Sequence, residues 1–171
     1  MIVILVFLMS IRSTLVTAIS IPTSVLITFI GLQAFGYSLN ILTLGALTIA
    51  IGRVVDDSIV VIENIKRHYV GDADKGDAIR LAVREVAMAV TSSTITTVAV
   101  FLPIVFVGDM VGELFRPFAM TVSIAMVASL LVSLTIVPVL AYWFLRPGKP
   151  LLDENGVQID PEDPDAVSYT H

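Results

Sequence analysis

Four long apolar stretches constrain this chain more than any other feature, because each is long enough to cross a lipid bilayer. A helix needs about 20 predominantly apolar residues to span the hydrocarbon core. The sequence therefore predicts an all-α, polytopic transmembrane helical bundle with four complete spans. The spans run roughly over Thr14–Phe35, Leu39–Ile65, Val86–Val107 and Phe118–Leu145.

A fifth apolar run, Met1–Ser10, is too short to cross a bilayer. A signal peptide would carry basic residues before such a run and a small-residue cleavage site after it, and neither is present. We interpret Met1–Ser10 as a partial N-terminal span, the end of a helix whose first half lies upstream. The alternative is an independent short apolar terminus.

The composition supports a membrane protein, since 56% of the 171 residues are hydrophobic and only 15% are charged. Soluble domains are about 45–50% apolar and about 25% charged, so a soluble enzyme and a disordered protein are excluded. The chain has no cysteine, which excludes disulfides and thiolate metal sites, and we predict no metal site.

The acidic balance comes from the C-terminal end of the chain. Residues 151–171 contain six acidic residues and no Lys or Arg. We predict two parts, a membrane segment over 1–150 and an acidic, disordered cytoplasmic tail over 151–171. The acidity of this tail gives no indication of a nucleic-acid partner, and we predict none.

Basic residues predict the orientation of the spans. Eight of them fall on one side if the spans alternate, and only Arg116 falls on the other, so the first side is predicted to be cytoplasmic. Loops Gly36–Asn40 and Gly108–Pro117 are then external. A short amphipathic helix, capped by Asp77 and beginning at Ala78, is predicted to run on into the third span; the alternative is a polar loop. The eight are Arg12, Lys66, Arg67, Lys75, Arg80, Arg84, Arg146 and Lys149.

The second span contains charged residues near its middle: Arg53, Asp56 and Asp57. A charge at the bilayer centre costs about 2.5–3.5 kcal/mol on insertion scales, so such groups mark ion or proton pathways. Burial and a neighbouring carboxylate raise proton affinity, whereas a nearby cation lowers it. The pair is therefore a candidate proton relay. The alternative is a structural ion pair between Arg53 and one of the two carboxylates.

Other residues near the candidate relay are open to two interpretations. The hydroxyl cluster that opens the third span includes Thr91 and Thr94, which either bond within the helix bundle or line a wetted wall as relay partners. Glu63 lies near the cytoplasmic end of the second span and is predicted to be interfacial. An intramembrane aspartyl protease is disfavoured, because adjacent residues of one helix diverge by about 100°.

The segment Gly52–Ile65, GRVVDDSIVVIENI, resembles the signature span of the AcrB-like permeases, the hydrophobe/amphiphile branch of the RND superfamily of proton-driven efflux transporters. Three further segments fit the same family: Phe35–Asn40, Phe101–Pro103 and Phe115–Phe118. The similarity covers about Met1 to Pro150. Arg53 replaces the aliphatic residue common in the Gram-negative pumps and resembles versions associated with Gram-positive bacteria.

The resemblance implies that Asp56 and Asp57 form the proton relay and that the four spans are the third to sixth of twelve. It implies hydrophobic or amphiphilic substrates and no cofactor, since the proton-motive force drives export. The implied partners are the lipid bilayer, the second six-span half, porter domains, further copies in a homotrimer and a membrane fusion adaptor. The implied location is the bacterial inner membrane. The alternative is a truncated, transport-inactive remnant that acts as a membrane scaffold.

Overall fold

The computed structural model describes residues 11–70 and 74–146, and these residues fold into helices. The predicted all-α class is confirmed, since the described ranges contain no β-strand. The predicted partial span at Met1–Ser10 and the predicted tail lie outside the described residues. The elements are α1 (Ile11–Ala34), α2 (Ile41–His68), α3 (Lys75–Val105), α4 (Met110–Leu131), a π-helical turn (Val132–Ile136) and α5 (Val137–Phe144).

Three helical segments are long and apolar enough to cross a membrane: α1, α3 and the continuous 35-residue run from Met110 to Phe144. Helix α2 has 28 residues but does not qualify by composition, because it carries the charged residues of the candidate relay and of its C-terminal end. The structure therefore supports a multi-pass membrane protein with three of the four predicted complete spans. Spanning by α2 remains an expectation.

The turn between α1 and α2 is built by two local motifs. Gly36 has a φ of 75°, a left-handed conformation that glycine adopts without strain. It allows the N–H groups of Gly36 and Tyr37 to bond the carbonyls of Gln33 and Leu32 at 3.1 and 2.9 Å, which closes α1 as a Schellman motif. Asn40 then caps α2 in a capping box with Thr43.

The start of α3 differs from the prediction. Asp74 rather than Asp77 is the N-cap, and its side chain accepts the backbone N–H of Asp77 at 3.0 Å. The helix begins at Lys75 and runs without interruption into the third apolar stretch, because no helix-breaking residue follows Gly76 before Pro103. The predicted amphipathic character is confirmed, since Ile79 and Ala82 are buried in an apolar cluster against which Val83 and Val86 pack.

The predicted extent of the loop Gly108–Pro117 is wrong, because α4 already begins at Met110. Pro117 lies inside the helix and interrupts only one backbone hydrogen bond there. Arg116 donates from Nε to the carbonyl of Val105 at 3.0 Å, which ties α4 to the last turn of α3. The π-helical turn at the far end of α4 ends at Ile136, two residues before Pro138.

Two apolar clusters hold α2 against its neighbours. Towards its C-terminal end, Val61, Ile62 and Ile65 belong to a cluster with residues of α1, α3 and α5. Towards its N-terminal end, Ala46 and Ala50 pack against Val122, Ala125 and Met126 of α4. The small side chains at this second contact let two helices approach closely. The segment of α2 between the two clusters contains Arg53, Asp56 and Asp57.

Candidate functional site

A polar layer separates the two apolar clusters. Asp57 is only 5% exposed, and Ser58 beside it is 1% exposed. Ser58 shares a hydrogen bond of 2.9 Å with Ser20 of α1, and Ser129 of α4 reaches Asp57 from the other side. Three helices therefore contribute polar groups at one level of the bundle. Buried polar atoms require such partners, because an unsatisfied one is costly.

Both carboxyl oxygens of Asp57 have a partner. The Ser129 hydroxyl donates to Oδ2 at 2.8 Å. Arg53, one turn earlier on α2, places Nη2 at 3.8 Å from Oδ1. The prediction that Arg53 can reach a carboxylate along the helix is therefore confirmed, and the carboxylate that it reaches is Asp57.

Asp56 and Asp57 point in different directions. Asp57 is buried in the described bundle, whereas Asp56 is exposed. The difference follows from the angle of about 100° between successive helix residues. The two carboxyls therefore do not face each other across a shared water, as an aspartyl protease would require.

Arg53 also connects α2 with α3. Its Nη2 atom donates a short hydrogen bond to the hydroxyl of Ser93. The side chain is 34% exposed, but its Nε atom is buried without a hydrogen-bond partner among the described residues. One guanidinium nitrogen thus lies between a hydroxyl of α3 and a carboxylate of α2.

The α3 hydroxyl cluster is only partly directed at this layer. Ser92 bonds the carbonyl of Met88 within its own helix, as do Thr96 and Thr97 with carbonyls one turn earlier. Thr94 is buried, and its hydroxyl has no hydrogen-bond partner in the described ranges. Thr91 is half-buried, one turn earlier on the same face. The hydroxyl that contacts Arg53 belongs to Ser93.

Sequence reasoning missed two sets of hydroxyls. Ser129 contacts Asp57 although 72 residues separate them, and nothing in the local sequence distinguishes it from other serines. Helix α1 buries a stripe of hydroxyl residues and exposes large apolar ones such as Leu26 and Ile30. A search for hydroxyls at helical spacing would have found this stripe. Its members are Ser13, Thr17, Ser20, Ser24 and Thr28.

The C-terminal end of α2 carries a separate polar cluster. Asn64 donates to the Ala82 carbonyl and to Glu85, both at 2.8 Å. Arg67 lies 3.6 Å from Glu85. Glu63 is exposed and lines a groove of about 500 Å³ together with Asn64 and Arg67. These contacts tie α2 to α3 two turns away from Asp57.

The comparisons with known proteins identify the family. Residues 1–155 match the model of the AcrB/AcrD/AcrF family. The swarming motility protein SwrC of Bacillus subtilis (strain 168) is 53% identical over 144 residues, which cover 82% of this chain and 14% of SwrC. The multidrug resistance protein MdtC of Escherichia coli (strain K12) is 47% identical over 148 residues, 86% of this chain and 14% of MdtC. The chain therefore spans about one seventh of the length of these relatives. With its family match over nearly the whole length, it belongs to the AcrB/AcrD/AcrF family of RND permeases.

Proposed function

We propose that this chain is part of the membrane domain of a proton-driven RND efflux transporter, and that Asp56 and Asp57 carry the protons. The observation that supports this most directly is the burial of Asp57 between two apolar clusters, with a hydroxyl and a guanidinium as partners. A carboxylate in such a place is energetically costly, so its presence there favours a functional role. The family is one of transporters, so we propose transport and no enzymatic activity.

The unequal surroundings of the two carboxylates suit a relay. Asp57 is held inside this group of helices, whereas Asp56 faces outward, where another part of the transporter can reach it. A proton that moves between the two changes the charge on each face of α2. One charge moving through 100 mV is worth about 2.3 kcal/mol, so the membrane potential can drive the cycle.

The proposed location is the bacterial inner membrane, with α2 as a fourth span. The ends of the helices that carry Arg12, Lys66, Arg67 and Lys75 are then cytoplasmic, and the end with Arg116 is external. The acidic tail, residues 151–171, would also lie in the cytoplasm. This orientation requires antiparallel neighbours, and the short connections of α1 with α2 and of α2 with α3 support it.

The proposed partners are the second six-span half of the permease, its porter domains, two further copies in a homotrimer and a membrane fusion adaptor. The exposed apolar faces of α1 and α3 support burial against lipid or further helices. The relatives are named for multidrug resistance and swarming motility. We accordingly propose hydrophobic or amphiphilic substrates and the proton-motive force as the energy source, without a cofactor.

The test is substrate-driven proton exchange in vesicles that contain the transporter to which this segment belongs. Asp56→Asn and Asp57→Asn each remove one ionisable proton carrier while keeping nearly the same volume. We expect each variant to lose coupled transport at a wild-type level of protein in the membrane. Glu63→Gln is the matched control, because it removes an exposed carboxylate of the same helix that lies outside the polar layer.

Either Asp variant transporting at the wild-type rate would exclude that carboxylate from the relay. An equal loss of coupled transport in Glu63→Gln would mean that removing any carboxylate of α2 disables the protein. The Asp variants would then no longer support a relay.

A further inference from the structure

We propose that Arg53 is a built-in counter-ion of the relay, positioned by Ser93 of α3 so that its charge acts on Asp57. Arg53 is then a positioning residue that sets the pH range over which the relay loads and releases protons. The proposal rests on the proposed function, because it assigns a role within the same relay. The counter-ion role adds to the proposed relay a cation that comes from the same half of the membrane domain as the two carboxylates.

The geometry links three helices through one guanidinium. Nη2 of Arg53 bonds the Ser93 hydroxyl and lies 3.8 Å from Oδ1 of Asp57, while Ser129 holds Oδ2. An arginine on a free surface samples many rotamers, and an exposed ion pair contributes little. Here the Ser93 bond restricts the side chain, and the carboxylate is buried. The charge of Arg53 is therefore held near Asp57.

Within the described residues, the neighbouring helices add no charge that acts on Asp57. The charged groups that act on Asp57 are Arg53 and Asp56, both from α2. The elements packed around it contribute hydroxyls: Ser20 beside Ser58 from α1, and Ser129 from α4. The ionisable residue of α5 is Tyr142, which lies beside Lys75.

The charged residues of the neighbouring helices lie well away from the layer. Along the helix axes they are at least about 12 Å from the hydroxyls of the layer, at a rise of about 1.5 Å per residue. The nearest in sequence to Ser20, Ser93 and Ser129 are Arg12 in α1, Glu85 in α3 and Arg116 in α4.

A cation near a carboxylate favours its ionised form. Arg53, with Nη2 at 3.8 Å from Oδ1, should therefore stabilise the ionised form of Asp57. Movement of α3 relative to α2 would carry the Ser93 anchor with it and change the distance between Arg53 and Asp57. The contact between α2 and α3 would thus couple helix movement to proton release.

The experiment compares Arg53→Leu, Arg53→Lys and Ser93→Ala in the full transporter, reconstituted in proteoliposomes. The first readout is the pH profile of substrate-driven proton exchange. The second is labelling of Asp57 by a hydrophobic carbodiimide as a function of pH, read by fragment mass spectrometry, because this reagent attacks the protonated carboxyl. Ser92→Ala is the matched control, since Ser92 is the adjacent hydroxyl and bonds its own helix.

We expect Arg53→Leu to move both midpoints to higher pH, because the carboxyl loses the cation that favours its ionised form. Ser93→Ala should move them in the same direction by less, and Arg53→Lys should restore most of the wild-type position. Ser92→Ala should leave both unchanged. A variant that no longer transports is judged on labelling alone.

If the midpoints of proton exchange and of Asp57 labelling in Arg53→Leu equal those of the wild type, Arg53 is not a counter-ion of the relay. If Asp57→Asn still abolished coupled transport, the relay itself would stand. Full activity of Asp57→Asn would instead remove the proposed function, and the counter-ion role with it.

Discussion

We predict that Gly31→Ala destabilises the protein, because Gly31 of α1 lies directly against Ile124 of α4. A Cβ atom at this position would lie 2.6 Å from Cγ2 of Ile124. Carbon atoms pack at about 3.5–4.0 Å, so the overlap is about 1 Å. Ile124 is β-branched, and a helix leaves such a side chain one strongly preferred rotamer. The methyl group cannot turn away, and the two helices must move apart.

Overpacking of this kind costs about 1–3 kcal/mol. Gly45 and Gly52 of α2 provide matched controls, because a Cβ atom there meets no heavy atom of the described residues within 4 Å. Alanine is favoured over glycine in a helix interior by at most about 1 kcal/mol. We therefore expect Gly31→Ala to lower the free energy of unfolding, and Gly45→Ala and Gly52→Ala to leave it equal or higher.

The measurement is reversible unfolding of the chain in mixed micelles with increasing SDS, followed by circular dichroism and by a fluorescence pair on α1 and α4. A double-mutant cycle with Ile124→Ala isolates the contact. In that background Gly31→Ala should cost almost nothing, because Cγ2 is gone. An undiminished cost there, or the same cost at Gly45 as at Gly31, would refute the close approach of the two helices.

Two further predictions concern helix ends and orientation. Asn40→Ala should lower the free energy of unfolding by about 1 kcal/mol, because Asn40 Oδ1 accepts the N–H groups of Leu42 and Thr43 at 2.9 Å. Asn40→Asp should keep most of the wild-type stability, since a carboxylate oxygen can accept the same bonds. Equal SDS midpoints for the two variants would contradict the cap. The chain has no cysteine, so a single introduced cysteine reports which side of the membrane it lies on. Tyr37→Cys should react with an impermeant maleimide added outside cells, and Arg80→Cys only after the cells are opened. Labelling of both from one side would contradict the proposed orientation.

Local patterns in the sequence predict the helices and some of their ends. The apolar stretches predict long helices, and glycine at position 36 marks the end of α1, because the left-handed turn there favours it. The starts of α3 and α4 were missed. Asp74 and Asp77 are both plausible caps, and only the folded chain shows which one accepts a backbone N–H. The fourth span was predicted to begin only at Phe118, yet α4 already begins at Met110, because the one hydrogen bond missing at Pro117 does not stop the helix.

The sequence by itself determined that Arg53, Asp56 and Asp57 share a short segment of one helix, since one turn of an α-helix brings residues three and four apart together. It also determined that Asp56 and Asp57 diverge. Only the tertiary structure decided which carboxylate is buried and which hydroxyls reach it. Ser93 and Ser129 lie 40 and 72 residues from their partners, and contacts over such separations depend on how the helices rotate and pack, which no local pattern encodes.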